Sequence, residues 1–194
     1  MPKLSEIRFV ASPWRSISEA KARRAAAVAA HLVPRLDFVT DWRLQKSYFL
    51  AEVWSIEERL SRLSNVDFAA WSHGPWSLHV REATELLESE GLLTKVRQAA
   101  RRRPEAEFLK VRSVGELPDV HEEEKEFLDV VAAELKYLDG NTLTSVAKAT
   151  PPYMAAKPKR LVDLDGYLES IRKKHTALAE SRKVAALVAE AKTE

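Results

Sequence analysis

The segment TDWRLQKSYFLAEVWSIEERLSRL, residues 40–63, predicts the helix around which the rest of the chain is arranged. Thr40 and Asp41 are typical of a helix start. Apolar side chains then cover most of the helix circumference, and such a helix is usually buried. The residues in question are Trp42, Leu44, Tyr48, Phe49, Val53, Trp54 and Ile56. We expect Leu44, Tyr48 and Trp54 to be largely buried against the helix that carries Leu86 and Leu87.

The composition is that of a folded and mainly helical chain. It has 194 residues, 45% of them hydrophobic, and only five Gly, which predicts one domain with or without an appendage. The net charge of +2 gives no general preference for polyanions. The absence of Cys excludes disulfides, thiolate zinc sites and thiol nucleophiles, and it fits a reducing cytoplasm.

Neither a signal peptide nor a membrane span is expected. Residues 1–10 lack an apolar core, and the longest apolar run, Ala25 to Ala30, is too short to cross a bilayer. The sequence therefore predicts a cytoplasmic protein without a membrane partner.

Two further helices are predicted on either side of the central one. The first follows the capping-box spacing of Ser16 and Glu19 and continues to about Val33, where Pro34 ends it. The second begins at Pro75, a residue suited to the first helical turn, and ends at Gly91.

The last part of the chain predicts three more helices. One follows Pro118-Asp119 and is closed by Gly140. A short one is capped by Asn141, reaches about Lys148 and is broken by Pro151-Pro152. A long final helix runs from about Asp163 to the end, with apolar residues at helical spacing.

One stretch has the character of a β-hairpin. Residues 92–98 and 106–111 are predicted to form two strands around the sequence AARRRPE. The predicted fold is thus mainly α with minor β: a compact helical domain with one small antiparallel hairpin and a long C-terminal helix. We divide it into an N-terminal extension, residues 1–24, a helical domain, residues 25–160, and the C-terminal helix, residues 161–194.

A helix followed by a basic hairpin is the order found in winged-helix proteins. Between Lys95 and Arg112 there are seven cations and two anions, with Arg101, Arg102 and Arg103 at the hairpin tip. Such a tip could grip phosphates, or it could be a solvated loop. The preceding helix, residues 77–90, carries four Glu and one Arg, which disfavours its entry into a DNA groove. DNA binding is therefore an alternative and not the favoured function.

The sequence offers little support for catalysis, a metal or a cofactor. No two histidines have the spacing of a helical metal pair. His73 and His79 are six residues apart, and we expect His73 to be partly buried and hydrogen-bonded near a turn rather than metal-bound. Glu122 to Glu124 fit the first turn of a helix, where acidic side chains are favourable. We expect a protein that is not an enzyme.

The segment FAAWSHGPW, residues 68–76, concentrates aromatic residues around a Gly-Pro step. Gly74 supplies backbone freedom and Pro75 starts a helix, so a rigid corner is predicted. Trp71 and Trp76 flank the corner, and packing is the favoured role for both. Either one, if exposed, would be a natural anchor for a partner. The candidate partner-binding residues are Trp71, His73, Gly74, Pro75, Trp76, Arg101, Arg102 and Arg103.

Three segments together resemble the Panacea domain of antitoxins. RLQKSYFLAE at 43–52 resembles the family's Leu-Gln-Lys helix, and FAAWSHGPW at 68–76 resembles its aromatic and Gly-Pro turn. LTSVAKATPPYMAA at 143–156 resembles the short helix near the family's end. Their order and spacing agree over about residues 25–156. The chain departs from the family pattern at three positions. The family often has Leu where this chain has Ser47, a small aliphatic residue where it has Trp76, and Tyr further on, where it has Arg81.

The resemblance implies a non-enzymatic antitoxin. Members of the family are encoded beside small toxins and neutralise them by direct protein contact, so the implied partner is a cognate toxin encoded nearby. The alternative is a winged-helix-like, DNA-binding transcriptional regulator that acts on its own operon.

Overall fold

The computed structural model describes residues 18–100, 103–112 and 120–190. Within these ranges the chain is mainly helical, with two small antiparallel two-stranded sheets. The helices are α1 (Glu19–Leu32), α2 (Asp41–Arg59), α3 (Leu78–Ser89), α4 (Glu122–Leu135), α5 (Gly140–Lys148), α6 (Pro151–Ala155) and α7 (Leu164–Glu190). The strands are β1 (Ala69–Trp71), β2 (Gly74–Trp76), β3 (Leu93–Ala100) and β4 (Arg103–Val111).

Helix α2 is the central element, as the sequence predicts. It contacts α1, α3, α4, α5, α7, β2 and β4. Its N-cap is Thr40, whose hydroxyl accepts a hydrogen bond from the Arg43 amide at 3.2 Å. It ends at Arg59 and not near Leu63, because Leu60 adopts a left-handed conformation with φ of 54°.

The predicted burial around α2 is confirmed in part. Leu44 and Tyr48 are fully buried, whereas Trp54 is only partly buried against the core. The expected neighbour is different: α3, which carries Leu86 and Leu87, packs chiefly on α1. The buried run from Ala25 to Ala30 explains this, because short side chains let two helices approach closely.

The start of α3 corrects one prediction and its end confirms another. Pro75 lies in strand β2, and α3 begins after Ser77, whose hydroxyl accepts from the Val80 amide at 3.2 Å. At the other end Gly91 has a φ of 73°, and the Leu92 amide donates to the Leu87 carbonyl at 2.9 Å. This is a Schellman motif, in which Gly avoids the strain of a left-handed residue.

Two boundaries in the last part of the chain were predicted wrongly. Gly140 does not close α4 but opens α5, and the cap of α5 is Asp139, whose carboxylate accepts from the Thr142 amide at 2.8 Å, not Asn141. Pro151 and Pro152 do not merely break α5, since they form the first turn of α6. Proline is tolerated there because first-turn amides need no helical acceptor.

The predicted hairpin is present as β3 and β4, paired from Leu93 with Val111 to Ala100 with Arg103. Its base is fixed to the helical core, because the Leu109 amide donates to the Val39 carbonyl at 2.7 Å. It follows α3, so the helix-then-hairpin order of a winged helix is present.

A second hairpin, β1 with β2, was not predicted as a paired sheet. Ala69 pairs with Trp76, and Trp71 with Gly74. A segment before α7 extends this sheet, since the Ala70 amide donates to the Arg160 carbonyl at 2.8 Å and the Val162 amide to the Phe68 carbonyl at 2.7 Å.

The first turns of helix α7 pack against the core, and the following turns are exposed. Leu164 is buried, and Tyr167, Leu168 and Ile171 pack against the core. From Arg172 to Arg182 every side chain is exposed. The division of the chain at residues 24 and 160 stays a prediction. Among the described residues, no helix combines the length and the apolar character that crossing a membrane requires.

Candidate functional site

The Gly-Pro corner, residues 74–77, is held by the side chain of Gln45. The Gln45 amide nitrogen donates to the Ser77 carbonyl at 3.0 Å, and the Gln45 oxygen accepts from the Ser77 amide at 2.7 Å. Both residues are fully buried. A carboxamide can satisfy one backbone donor and one backbone acceptor at once, so Gln45 fixes the corner and the start of α3 together.

Lys46 holds the same corner one residue further along α2. Its Nζ donates to the Pro75 carbonyl at 2.7 Å and lies 3.9 Å from the centre of the Trp42 ring. The side chain is fully buried. Burial lowers the pKa of Lys46 to about 7, although the nearby Asp41 carboxylate acts in the opposite direction. The Lys46 ammonium group therefore loses its proton near neutral pH.

Gly74 is required at the corner for two reasons. Its φ is 93°, a conformation that side-chain-bearing residues rarely adopt. A Cβ atom at this position would also lie 3.1 Å from Lys46 Cε and 3.2 Å from Thr144 Cγ2. The backbone turns here, and the space beside it is filled by α2 and α5.

Side chains of α5 and α6 also bind the backbone of the β1–β2 hairpin. Lys148 Nζ donates to the Ser72 carbonyl at 3.1 Å, and the Tyr153 hydroxyl donates to the Trp71 carbonyl. The three segments that carry the family resemblance therefore meet in space at the β1–β2 hairpin. They form a packing unit whose contacts are mostly from side chain to backbone.

The aromatic residues and histidine of this hairpin differ in exposure. Trp76 is only 9% exposed, so its role is packing and it does not offer an exposed anchor to a partner. Trp71 is partly exposed, and Lys159 Nζ lies 5.8 Å from its ring centre. His73 is exposed and not partly buried as expected, because it lies at the hairpin turn, with its ring edge-to-face against Trp42.

His79, by contrast, is buried, and its Nδ1 accepts from the Asp67 amide at 3.2 Å. Within the described ranges, no group of three or more His, Asp or Glu side chains is placed to hold a metal ion.

The tip of the β3–β4 hairpin lies partly outside the described residues. Arg101 and Arg102 are both outside them, and so is the side chain of Arg103, which begins β4. Lower on the hairpin, Lys95 pairs with Glu88 at 2.8 Å and Arg97 approaches Glu107 at 3.7 Å. These pairs neutralise part of the positive charge counted from the sequence.

The structure reveals an aromatic surface that the sequence did not indicate, formed by Phe38, Phe108 and Tyr137. Phe38 is 75% exposed and Tyr137 is 86% exposed. The Phe38 ring meets Phe108 edge-to-face with centroids 6.1 Å apart. Asp37 directly precedes Phe38, and Lys136 directly precedes Tyr137. A salt bridge of 3.4 Å between Asp37 and Lys136 holds the two segments side by side.

Nothing local in the sequence marks this surface. Phe38 lies in a turn and Tyr137 lies just after α4, and their proximity depends on the tertiary fold. The φ of 53° at Phe38 is a further feature that only the structure shows, and such values are uncommon for bulky residues.

The fold and the corner define a mainly helical protein whose β1–β2 hairpin is fixed by side chains of α2, α5 and α6. The chain matches the family model "Antitoxin SocA-like, Panacea domain" over residues 44–152, which is more than half of its length. It belongs to this family, and with it has an antitoxin-type role in general. No curated protein and no solved structure matches the chain.

Replacing Gly74 with Ala should destabilise the protein more than replacing Gly91 with Ala. Both residues have positive φ, but a Cβ at Gly91 would have no atom within 4 Å, whereas one at Gly74 would crowd Lys46 and Thr144. Backbone strain alone costs about 1–2 kcal/mol, and crowding adds to it only at Gly74. Urea unfolding of both variants measures the difference, and equal losses would contradict the close packing of Gly74 against α2 and α5.

Replacing Lys46 with Met should change the pH dependence of stability. The pKa of Lys46 is about 7 in the folded protein and near its ordinary, higher value in the unfolded chain. Between these values the unfolded chain binds more protons, so raising the pH stabilises the folded protein, by at most about 1.4 kcal/mol per pH unit.

The free energy of unfolding is measured for both proteins between pH 7 and 9.5. The difference, unmodified protein minus Lys46→Met, should rise with pH. A difference that stays constant would show that Lys46 keeps its proton in the folded state.

Proposed function

We propose that this protein is a non-enzymatic antitoxin that neutralises a protein toxin by direct contact through the aromatic surface. Family membership supplies the class of function. The observation that supports direct contact is the exposure of Phe38 and Tyr137, at 75% and 86%. Tyr is enriched among the few residues that dominate interface energies, and Phe is enriched in the buried cores of interfaces.

The aromatic surface is held in place before a partner arrives. Arg43 Nη2 donates to the carbonyls of Leu135 and Lys136 at 3.0 and 2.5 Å, which fixes the end of α4 beside α2. On the other side, Val39 accepts the hydrogen bond from Leu109 in β4. A surface that is already ordered loses less conformational entropy on binding, which favours affinity.

The alternative function, DNA binding through α3 and the hairpin, has weaker support. Glu82, Glu85 and Glu90 of the α3 region are exposed. A helix with this charge is repelled by phosphates. DNA is therefore included as a second ligand when the function is tested.

The double variant Phe38→Asn, Tyr137→Ser should fail to neutralise the toxin encoded beside the gene. Asn suits the left-handed conformation at position 38, so folding should be retained. Loss of two interface aromatics should weaken the complex by about a hundredfold or more. The measurements are growth rescue in cells that express the toxin and calorimetry with the purified pair.

The matched control is Val130→Ser with Leu178→Ser, which removes two other exposed apolar side chains, 62% and 58% exposed. It should rescue growth fully. Full growth rescue by the folded Phe38→Asn, Tyr137→Ser variant would contradict the proposal. A salt-sensitive gel shift with upstream DNA that is lost when Arg101 to Arg103 are replaced would favour the DNA-binding alternative.

A further inference from the structure

An open cleft of about 610 Å³ lies between α6, the segment that follows it, and the first turns of α7. One wall is a single face of α7 that includes Gly166, Tyr167, Ser170 and Lys174, at helical spacing. Ser170 has a short side chain, whereas the space beside Gly166 is filled by the Asp163 carboxylate, whose Oδ2 would lie 2.3 Å from a Cβ atom at that position. The Tyr167 hydroxyl donates to Glu57 at 2.5 Å and fixes the wall to α2.

The floor of the cleft is apolar. It is formed by short or cyclic side chains of α6 and the following segment, namely Pro151, Pro152, Ala155, Ala156 and Leu161. Ala155 is exposed and Leu161 partly so. Such a floor can seat an apolar side chain of a ligand but offers it no hydrogen bonds.

The rim of the cleft is cationic. Lys157, Arg160 and Lys174 line it and are exposed, and none of the three forms a salt bridge with a described carboxylate. The one carboxylate of the lining, Asp163, accepts from the Gly166 amide at 2.8 Å. Three cations against one carboxylate leave a local charge of +2. Elsewhere, by comparison, Arg62 and Lys95 are paired with Glu52 and Glu88.

We propose that this cleft binds a short acidic peptide segment of a partner protein. An apolar side chain of the segment would lie on the floor at Ala155 and Leu161, and its carboxylates would pair with Lys157, Arg160 and Lys174. Charge complementarity of this kind speeds encounter and gives specificity. The volume falls in the range of sites that enclose small ligands or a few residues.

The shape of the cleft favours a peptide over nucleic acid. Phosphates of a duplex could reach the rim, but the apolar floor would remain without a partner because the bases are stacked inside. A flexible peptide can fill both parts. The site is separate from the aromatic surface, so the proposal goes beyond the toxin contact through Phe38 and Tyr137 and does not depend on it.

The first experiment measures fluorescence anisotropy of the full chain with a labelled peptide in which Glu and Leu alternate. Two matched peptides have Gln in place of Glu, or Ala in place of Leu. Each should bind at least about tenfold more weakly, because each lacks one half of the recognition. Equal binding of all three peptides would overturn the proposal.

Variants then locate the binding. Removing the rim charges, with Lys157→Ser, Arg160→Ser and Lys174→Ser, should weaken binding of the Glu-Leu peptide by about tenfold or more. The control removes the same charge elsewhere, at the exposed Lys110, Arg112 and Arg182, and should change binding less than about threefold. Equal losses would mean general electrostatic attraction and would overturn the proposal.

The floor is tested by Ala155→Trp, which fills the cleft without changing charge. It should abolish peptide binding, while Phe38→Asn with Tyr137→Ser should leave it intact. The proposal would be overturned if duplex DNA of equal charge displaced the labelled peptide as well as unlabelled peptide does. It would also be overturned if the unmodified chain were a dimer and Ala155→Trp made it monomeric without affecting peptide binding.

Discussion

The buried polar side chains of α2 are the constraint on which the rest of the structure depends. Gln45, Lys46 and Glu52 are fully buried, and a buried polar group is costly unless it is hydrogen-bonded. Gln45 and Lys46 bind the backbone of the Gly-Pro corner. Glu52 accepts from the Leu63 and Ser64 amides at 3.1 and 2.9 Å and from Arg62. The helix therefore determines where the segments that follow it must run.

This constraint explains why the family pattern lies where it does. The Leu-Gln-Lys segment, the Gly-Pro turn and the segment around α5 are distant in sequence and meet at one hairpin, where Gly74 leaves space for Lys46 and Thr144. They secure the framework. The aromatic surface and the cationic rim of the cleft lie outside these segments, whereas part of the cleft floor belongs to α6 and so to the third of them. The framework can thus be kept while exposed positions such as Phe38 or Lys174 vary with the partner.

Features that depend on local sequence were predictable, and those that depend on distant contacts were not. The central helix, the β3–β4 hairpin and the Gly91 turn follow from periodicity, strand character and glycine placement. Pro75 fits a helix start equally well, and only the pairing of β2 with β1 decides its role. Lys46 and Glu52 are residue types usually found at the surface, so their burial could not be inferred. The exposure of Phe38 and Tyr137 likewise follows only from where α4 ends relative to α2.

Hydrogen exchange at the Ser77 amide tests most directly whether Gln45 holds the corner. In the unmodified protein this amide should be protected almost as strongly as the Phe49 amide within α2. In a Gln45→Met variant, the Ser77 amide should exchange about a hundredfold faster than the Phe49 amide, because the corner opens locally once its side-chain acceptor is gone. If Ser77 and Phe49 stay equally protected in the variant, other contacts hold the corner, and the buried side chains of α2 do not determine its position.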